Sequence, residues 1–115
     1  MQDLTLVMAQ LDPLVGDIPG NAARAIEAVR EARIEHGADI VVFPELFLSG
    51  YPPEDLLFKK SFIEDCRETL KKVAPFIKGL TAVIGFAEQK GKHLYNSAAL
   101  MCDGKHIATY RKMLL

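Results

Sequence analysis

Apolar and polar positions divide the first part of the chain into two short apolar runs with an amphipathic stretch between them. The runs at residues 4–10 and 40–43 are rich in branched side chains, and the first is typical of a strand buried on both faces. Residues 22–32 repeat apolar side chains at helical spacing, which predicts an amphipathic helix. Asn21 is the predicted amino-terminal cap of this helix, and Gly37 is its predicted end.

The middle of the chain carries signals for two further helices. Pro53 suits the first position of a short helix. Ser61 and Glu64 have the S-x-x-E spacing of a capping box, which predicts the start of a longer helix that Pro75 ends or kinks. The predicted inner face of that longer helix consists of Phe62, Cys66, Leu70 and Val73.

The last third of the chain predicts three strands joined by two tight turns. The strands are expected at residues 80–86, 94–102 and 106–112, with turns at residues 90–91 and at Asp103-Gly104. The predicted element order is therefore β-α-β-α-β-β-β. Two helical crossovers followed by hairpins imply an α/β fold with a partly parallel, partly antiparallel sheet.

Composition narrows the class of protein. Half of the 115 residues are hydrophobic, and 14 basic against 15 acidic residues give a net charge of −1. This balance predicts one compact globular unit and gives no electrostatic reason to expect a nucleic-acid or anionic-membrane partner. No uncharged run reaches the ~18 residues that suggest a membrane span. The start lacks a basic signal-peptide region, so a cytoplasmic location is expected.

Several potential sites have simpler interpretations. The loop at residues 15–20 precedes a helix but matches no phosphate-binding motif, and Asp17 would repel a phosphate. The three histidines lack partners at metal-ligand spacing, so no metal site is predicted. Cys66 is interpreted as a small buried hydrophobe, and nothing in the sequence indicates a reactive thiol at Cys102.

Two charged residues are better candidates for chemistry. Pro44 stiffens the end of the second strand, so Glu45 is presented where α/β proteins commonly place their active sites. An ordinary loop carboxylate is an equally good interpretation of Glu45. Lys112 ends the fifth predicted strand, and from physical chemistry alone a solvated cation is the favoured interpretation.

Four segments in order resemble the nitrilase, or carbon-nitrogen hydrolase, superfamily. They are the opening strand with Asp17 and Asn21 after it, residues 38–45 (ADIVVFPE), residues 94–100 (LYNSAAL) and residues 110–112 (YRK). Residues 48–56 (LSGYPPEDL) further resemble the glutaminase domain of glutamine-dependent NAD synthases. The resemblance implies an α-β-β-α sandwich, of which residues 1–115 would form the amino-terminal part.

The resemblance also implies roles for individual residues. Glu45 matches the general base and acid of a Glu-Lys-Cys triad, and Lys112 matches the lysine that stabilises the oxyanion. Tyr51 resembles a residue lining the glutamine pocket, although a loop aromatic packed on prolines is an equal alternative. Neither Cys66 nor Cys102 matches the nucleophile, which lies further along in the family. We therefore expect these 115 residues alone not to hydrolyse glutamine.

The activity implied by the resemblance is glutamine hydrolysis that supplies ammonia for NAD synthesis. ATP and Mg²⁺ would serve a separate synthetase domain, the amidase step would need no cofactor, and a homo-oligomer is expected. Two alternatives stay open at this point. One is a stand-alone amidase acting on another amide, and the other is a non-catalytic α/β module, in which Glu45 and Lys112 would share no task.

Overall fold

The computed structural model describes residues 3–50 and 59–114, with side chains described as far as Lys112. The order β-α-β-α-β-β-β and the α/β class are confirmed, while the short helix predicted at Pro53 lies outside the described residues. Neither α-helix in the described part is long and apolar enough to cross a membrane. The elements are β1 (Leu6–Met8), α1 (Ile18–His36), β2 (Ile40–Val42), α2 (Lys60–Val73), a 3₁₀ helix (Ala74–Phe76), β3 (Thr81–Lys90), β4 (His93–Cys102) and β5 (Lys105–Leu114).

The five strands form one sheet in chain order. β1, β2 and β3 run parallel, whereas β3–β4 and β4–β5 are antiparallel hairpins. Asp103 and Gly104 both have positive φ angles, 53° and 77°, as the predicted two-residue turn requires. The other hairpin turn is Gly91-Lys92, one residue later than predicted, because β3 pairs as far as Lys90.

Both α-helices cover the same face of this sheet. Right-handed crossovers that step in one direction place successive helices on one side. We call this side the helix-covered face. Its strand residues include Ala82, Ile84 and Met101, whose exposed fractions are 1% or less. On the opposite side, the open face, Leu6 and Met8 are 56% and 64% exposed. The prediction that the first strand is buried on both faces is therefore wrong within the described chain.

Helix α1 begins earlier than predicted. Its amino-terminal cap is Asp17, whose carboxylate accepts a hydrogen bond from the Gly20 N–H at 3.1 Å. The proposed cap, Asn21, lies inside the helix and is fully buried. The prediction was wrong because the Asp17 carboxylate caps the helix four residues upstream, and the Asn21 N–H already donates to the Asp17 carbonyl. Gly37 ends the helix with a left-handed φ of 58°, as predicted.

Helix α2 begins without the predicted capping box. Lys59 is the residue that precedes the helix, and its side chain makes no capping hydrogen bond. The amphipathic pattern is confirmed, since the predicted inner-face residues are all buried. The helix ends at Val73 and the backbone tightens into the 3₁₀ helix that contains Pro75. Proline has no N–H to continue the α-helical ladder, which explains the end.

Candidate active site

Glu45 lies on a turn that leaves the sheet directly after β2. The Phe43 N–H donates to the Val83 carbonyl at 2.9 Å, and the Leu48 N–H donates to the Gly85 carbonyl at 3.0 Å. The chain is thus held to β3 on both sides of the turn. Leu46, the residue after Glu45, has a left-handed φ of 52°, which is unfavourable for a branched side chain. Such strain persists only where the surroundings fix the backbone, and it is concentrated at functional sites.

The turn rests directly on Gly85 of β3. A Cβ atom at this position would lie 2.6 Å from both the Pro44 carbonyl oxygen and the Leu46 nitrogen. Glycine is therefore required by close approach of two backbones rather than by its φ angle. Sequence analysis did not single out Gly85. A glycine within an apolar strand is a known signal of such an approach, and it could have drawn attention to this residue.

Buried polar groups hold the turn from its other side. The Ser49 hydroxyl, which is fully buried, donates to the Leu46 carbonyl at 3.0 Å. The Asn21 amide accepts from the Leu14 N–H at 2.9 Å and donates to the Leu48 carbonyl at 3.1 Å. Asn21 thus connects the loop after β1 to the turn that carries Glu45. Its role is to tie two loops together, which explains why an amide occupies a buried helix position.

Lys112 lies at an irregularity in the outermost strand of the described sheet, β5. Ser97 of β4 pairs with Arg111, whereas the neighbouring Asn96 pairs with Met113. The pairing therefore skips Lys112, as in a β-bulge, which redirects a side chain out of the regular alternation. The Lys112 Nζ lies 2.8 Å from the Glu45 Oε1. The structure thus brings together two predicted site residues that are 67 positions apart.

Each charge of this pair favours the ionised form of the other. The Lys112 ammonium is the main cause of a lowered pKa at Glu45, the Asn96 side chain lowers it further, and partial burial opposes both. The hydrogen bond and charge of Glu45 in turn raise the pKa of Lys112. Both side chains contact solvent: the Glu45 side chain is 40% exposed and the Lys112 side chain is 48% exposed. At neutral pH the arrangement provides a carboxylate able to accept a proton and a fixed cation beside it.

Asn96 is a residue of this site that sequence analysis missed. It belongs to the 94–100 segment that carried the family resemblance, but no role was assigned to it. Its side chain is 2% exposed, and its Oδ1 has no hydrogen-bond partner within the described part of the chain. The available signal was an amide in the middle of an otherwise apolar strand, where a buried polar group calls for an explanation.

Space for a small molecule lies beside the carboxylate. A shallow cavity of about 340 Å³ is lined by Glu45, Pro44 and three residues of the loop after β1, Leu11, Asp12 and Pro13. The lining is mainly apolar around the one carboxylate that contacts Lys112. Small polar substrates bind in such settings, with a few polar groups fixing their orientation.

The two cysteines do not complete the site. Cys66 belongs to α2 and is fully buried on the side of that helix that packs on the sheet, and burial raises its pKa to about 12. Its interpretation as a structural residue is confirmed. Cys102 lies on β4 six residues from Asn96, about 20 Å at the usual strand rise. Tyr51, the third predicted site residue, lies outside the described residues.

One group of potential metal ligands occurs elsewhere among the described residues. Glu31, Glu35 and His36 place one ligand atom each within 4.8 Å of one another, and all three are exposed. Exposed acidic groups often cluster near a helix end without binding an ion. The absence of a metal site stays a prediction.

The fold and the Glu45–Lys112 pair agree with the comparisons to known proteins. Residues 5–115 match the carbon-nitrogen hydrolase family, so the chain belongs to that family. The expected α-β-β-α sandwich is consistent with this membership and with the solved structure below. The described residues provide one helix-covered sheet of such a sandwich, whose open face would pack on a second sheet.

The individual proteins that resemble this chain are named glutamine-dependent NAD(+) synthetases. A glutamine-dependent NAD(+) synthetase of Xylella fastidiosa is 47% identical over 109 residues, and one of Thermotoga maritima is 44% identical over 117. These alignments cover 95% and 100% of this chain but only 20% of each relative. The solved structure of such a synthetase from Acinetobacter baumannii superimposes with a TM-score of 0.88 at 33% identity, covering 97% of this chain and 21% of that one.

Proposed function

We propose that residues 1–115 form the amino-terminal part of a glutaminase domain that hydrolyses the side-chain amide of glutamine. The observation that carries the proposal is the 2.8 Å contact between Glu45 and Lys112, two residues that the family resemblance pairs in one triad. The named relatives support glutamine as the amide donor. The chain spans about a fifth of their length. Since Cys66 is buried and Cys102 is distant along β4, the proposal places the nucleophilic cysteine outside these 115 residues.

The geometry suits each step of cysteine-dependent amide hydrolysis. The Glu45 carboxylate takes the thiol proton, and the thiolate attacks the amide carbon to form a tetrahedral intermediate. The Lys112 ammonium stabilises the oxyanion of that intermediate. Glu45 then returns its proton to the departing nitrogen, which leaves as ammonia. Water, deprotonated by Glu45, cleaves the thioester to give glutamate and the free thiol.

The ammonia is proposed to support NAD synthesis in a second domain. That domain would activate the carboxyl group of deamido-NAD with ATP and Mg²⁺. The amino end of α1 does not fit a phosphate of such a nucleotide, because the Asp17 carboxylate occupies it and accepts from the Gly20 N–H. The proposal therefore assigns ATP and Mg²⁺ to the other domain. A homo-oligomer and a cytoplasmic location belong to the same proposal.

Substrate comparison in the full-length protein tests this function. Purified enzyme is given ATP, Mg²⁺ and deamido-NAD with glutamine, with ammonium, or with asparagine and acetamide as unrelated amides. We expect NAD formation with glutamine and with ammonium, and ammonia release from glutamine well above the other amides. Hydrolysis of the other amides without NAD formation would instead identify a stand-alone amidase. No turnover of any amide would favour the non-catalytic α/β module.

A further inference from the structure

We propose that Asn96 is a positioning residue for Glu45. In this role the –NH₂ end of its amide faces the Glu45 carboxylate and holds it in the orientation needed for proton transfer, while its Oδ1 has no partner among the described residues. This inference rests on the proposed function, since it concerns the base of the same reaction. Neither packing nor the hydrogen bonds of the sheet explain why an amide is buried at this position, and the inference gives a reason for it.

The irregularity in β5 places Asn96 between the two charged residues. Because the pairing steps from Ser97↔Arg111 to Asn96↔Met113, Lys112 is the unpaired residue of β5 at the step between Ser97 and Asn96. Lys112 reaches Glu45 from this position. The Glu45–Lys112 contact therefore forms next to Asn96 of β4. The Asn96 side chain favours the ionised form of Glu45.

The chemistry of the amide fixes which end faces the carboxylate. An ionised carboxylate only accepts hydrogen bonds, so the –NH₂ end of Asn96 must face it and the oxygen must point away. That oxygen is buried and has no partner within residues 3–50 and 59–114. A buried unpaired acceptor is unfavourable, and an apolar side chain of the same shape would avoid it. A residue selected for stability alone would not be an amide here.

The sign of the expected pH effect follows from the surrounding charges. Lys112 faces Glu45 from β5, Asp12 lines the same cavity from the loop after β1, and Tyr110 acts on Lys112 from its own strand. Asn96 adds an uncharged donor, which lowers the pKa of Glu45 alongside Lys112. Loss of this donor should raise that pKa. The reaction needs the carboxylate form of Glu45. As the pH is lowered, a variant without the donor should therefore lose activity at a higher pH than the wild type does.

Matched variants of the full-length protein separate positioning from structure. Asn96→Leu keeps the shape and removes the donor, Asn96→Asp replaces it with a like charge, and Ser97→Ala is the control. Ser97 is equally buried, but its hydroxyl donates to Glu88 at 3.0 Å and not to Glu45. Glutamine hydrolysis is measured across pH as kcat and kcat/KM, and thermal unfolding gives Tm.

We expect Asn96→Leu to lower kcat about ten- to a hundredfold, the size of effect that misplacing a reacting group produces. The acidic limb of its pH profile should move to higher pH while Tm stays unchanged or rises. Asn96→Asp should move the limb further. Ser97→Ala should lower Tm and leave the limb in place. An Asn96→Leu variant with a lower Tm and an unmoved acidic limb would overturn the inference.

A direct titration keeps this test independent of the proposed function. The pKa of the Glu45 carboxyl is measured by carbon-detected NMR in the wild type, in Asn96→Leu and, if that variant does not fold, in Asn96→Ala. If the protein does not hydrolyse glutamine but the pKa of Glu45 rises in the variant, the proposed function fails and the positioning role stands. An unchanged pKa would reject the positioning role, whatever the activity.

Discussion

The two faces of one sheet differ in what their side chains do. On the helix-covered face, Ala82, Ile84 and Met101 are almost completely buried and apolar. On the open face, a carboxylate, a cation and a buried amide come together at Glu45, Lys112 and Asn96, and the amide oxygen has no partner within the described chain. Along β3, the single step from Ile84 to Gly85 leads from the buried core to the turn that carries Glu45. Substitutions on one face should therefore affect folding, and those on the other face should affect turnover.

Apart from Glu45, the largest loss of turnover without loss of stability is expected at Lys112. Lys112→Met keeps the stem and removes the charge that would stabilise the oxyanion, so kcat for glutamine should fall about 10²- to 10³-fold in the full-length protein. Tm should barely change, because the side chain is half exposed. Lys105→Met, at the other end of β5, is the control and should retain full activity. A comparable loss at both lysines would mean that β5 as a whole, not the Lys112 charge, is being disturbed.

At Ile84 we expect stability to fall while turnover is retained. Ile84→Ala removes a side chain that is 1% exposed, and such deletions lower the free energy of unfolding by about 2–5 kcal/mol. Denaturant unfolding measures this loss, and kcat per folded molecule should be retained. Ile107→Ala is the matched control, since Ile107 is 56% exposed and its loss should change stability by less than about 0.5 kcal/mol. Equal losses at both positions would contradict the burial seen on the helix-covered face.

Gly85 is where the two effects should coincide. Gly85→Ala would insert a Cβ into the turn that carries Glu45, so it should cost about 1–3 kcal/mol of stability and also lower kcat. Gly104→Ala is the control: it is strained by its φ of 77° but has only ordinary contacts, so it should lower stability and spare kcat. Unfolding curves and glutamine turnover distinguish the two. A Gly85→Ala enzyme with normal kcat would show that the turn tolerates displacement.

The smallest effect is expected from the pH dependence of stability. The pKa of Glu45 is lowered from its usual 4.5, so the pair should stabilise the fold above that pH and lose this contribution as the pH falls through the lowered value. The pKa of Lys112 is raised from 10.5, so the contribution should also disappear as the pH rises through the raised value. Unfolding of the wild type and Glu45→Gln should therefore differ most between these limits. High salt should reduce the difference, and a salt-independent difference would point to packing instead.

The elements of the fold were predictable because their signals are local. Helical spacing, the αL glycine at position 37 and the Asp103-Gly104 turn each specify a structure within a few residues. Element ends were less predictable, as the caps of α1 and α2 show. Asp17 caps α1 four residues before Asn21, and α2 is preceded by Lys59, whose side chain makes no capping hydrogen bond.

The site was predictable only in part, because its geometry depends on contacts between distant segments. Glu45 and Lys112 were identified through motifs. Their 2.8 Å contact, however, depends on the irregular β4–β5 pairing that skips Lys112, and no local sequence pattern predicts that irregularity. The role of Asn21 depends on Leu14 and Leu48, 7 and 27 positions away. The roles of residues that act through such long-range contacts can be recognised only when the positions of the strands in the sheet are known.

The most direct test compares two nitrogen sources in one variant. In full-length protein carrying Glu45→Gln, NAD formation is measured with glutamine and separately with ammonium, each with ATP, Mg²⁺ and deamido-NAD. We predict that glutamine-driven synthesis falls by about 10²- to 10⁴-fold, the usual contribution of a general base, while ammonium-driven synthesis stays at the wild-type level. Wild-type synthesis with glutamine in this variant would contradict the role of Glu45 and, with it, the assignment of the glutaminase site to this sheet.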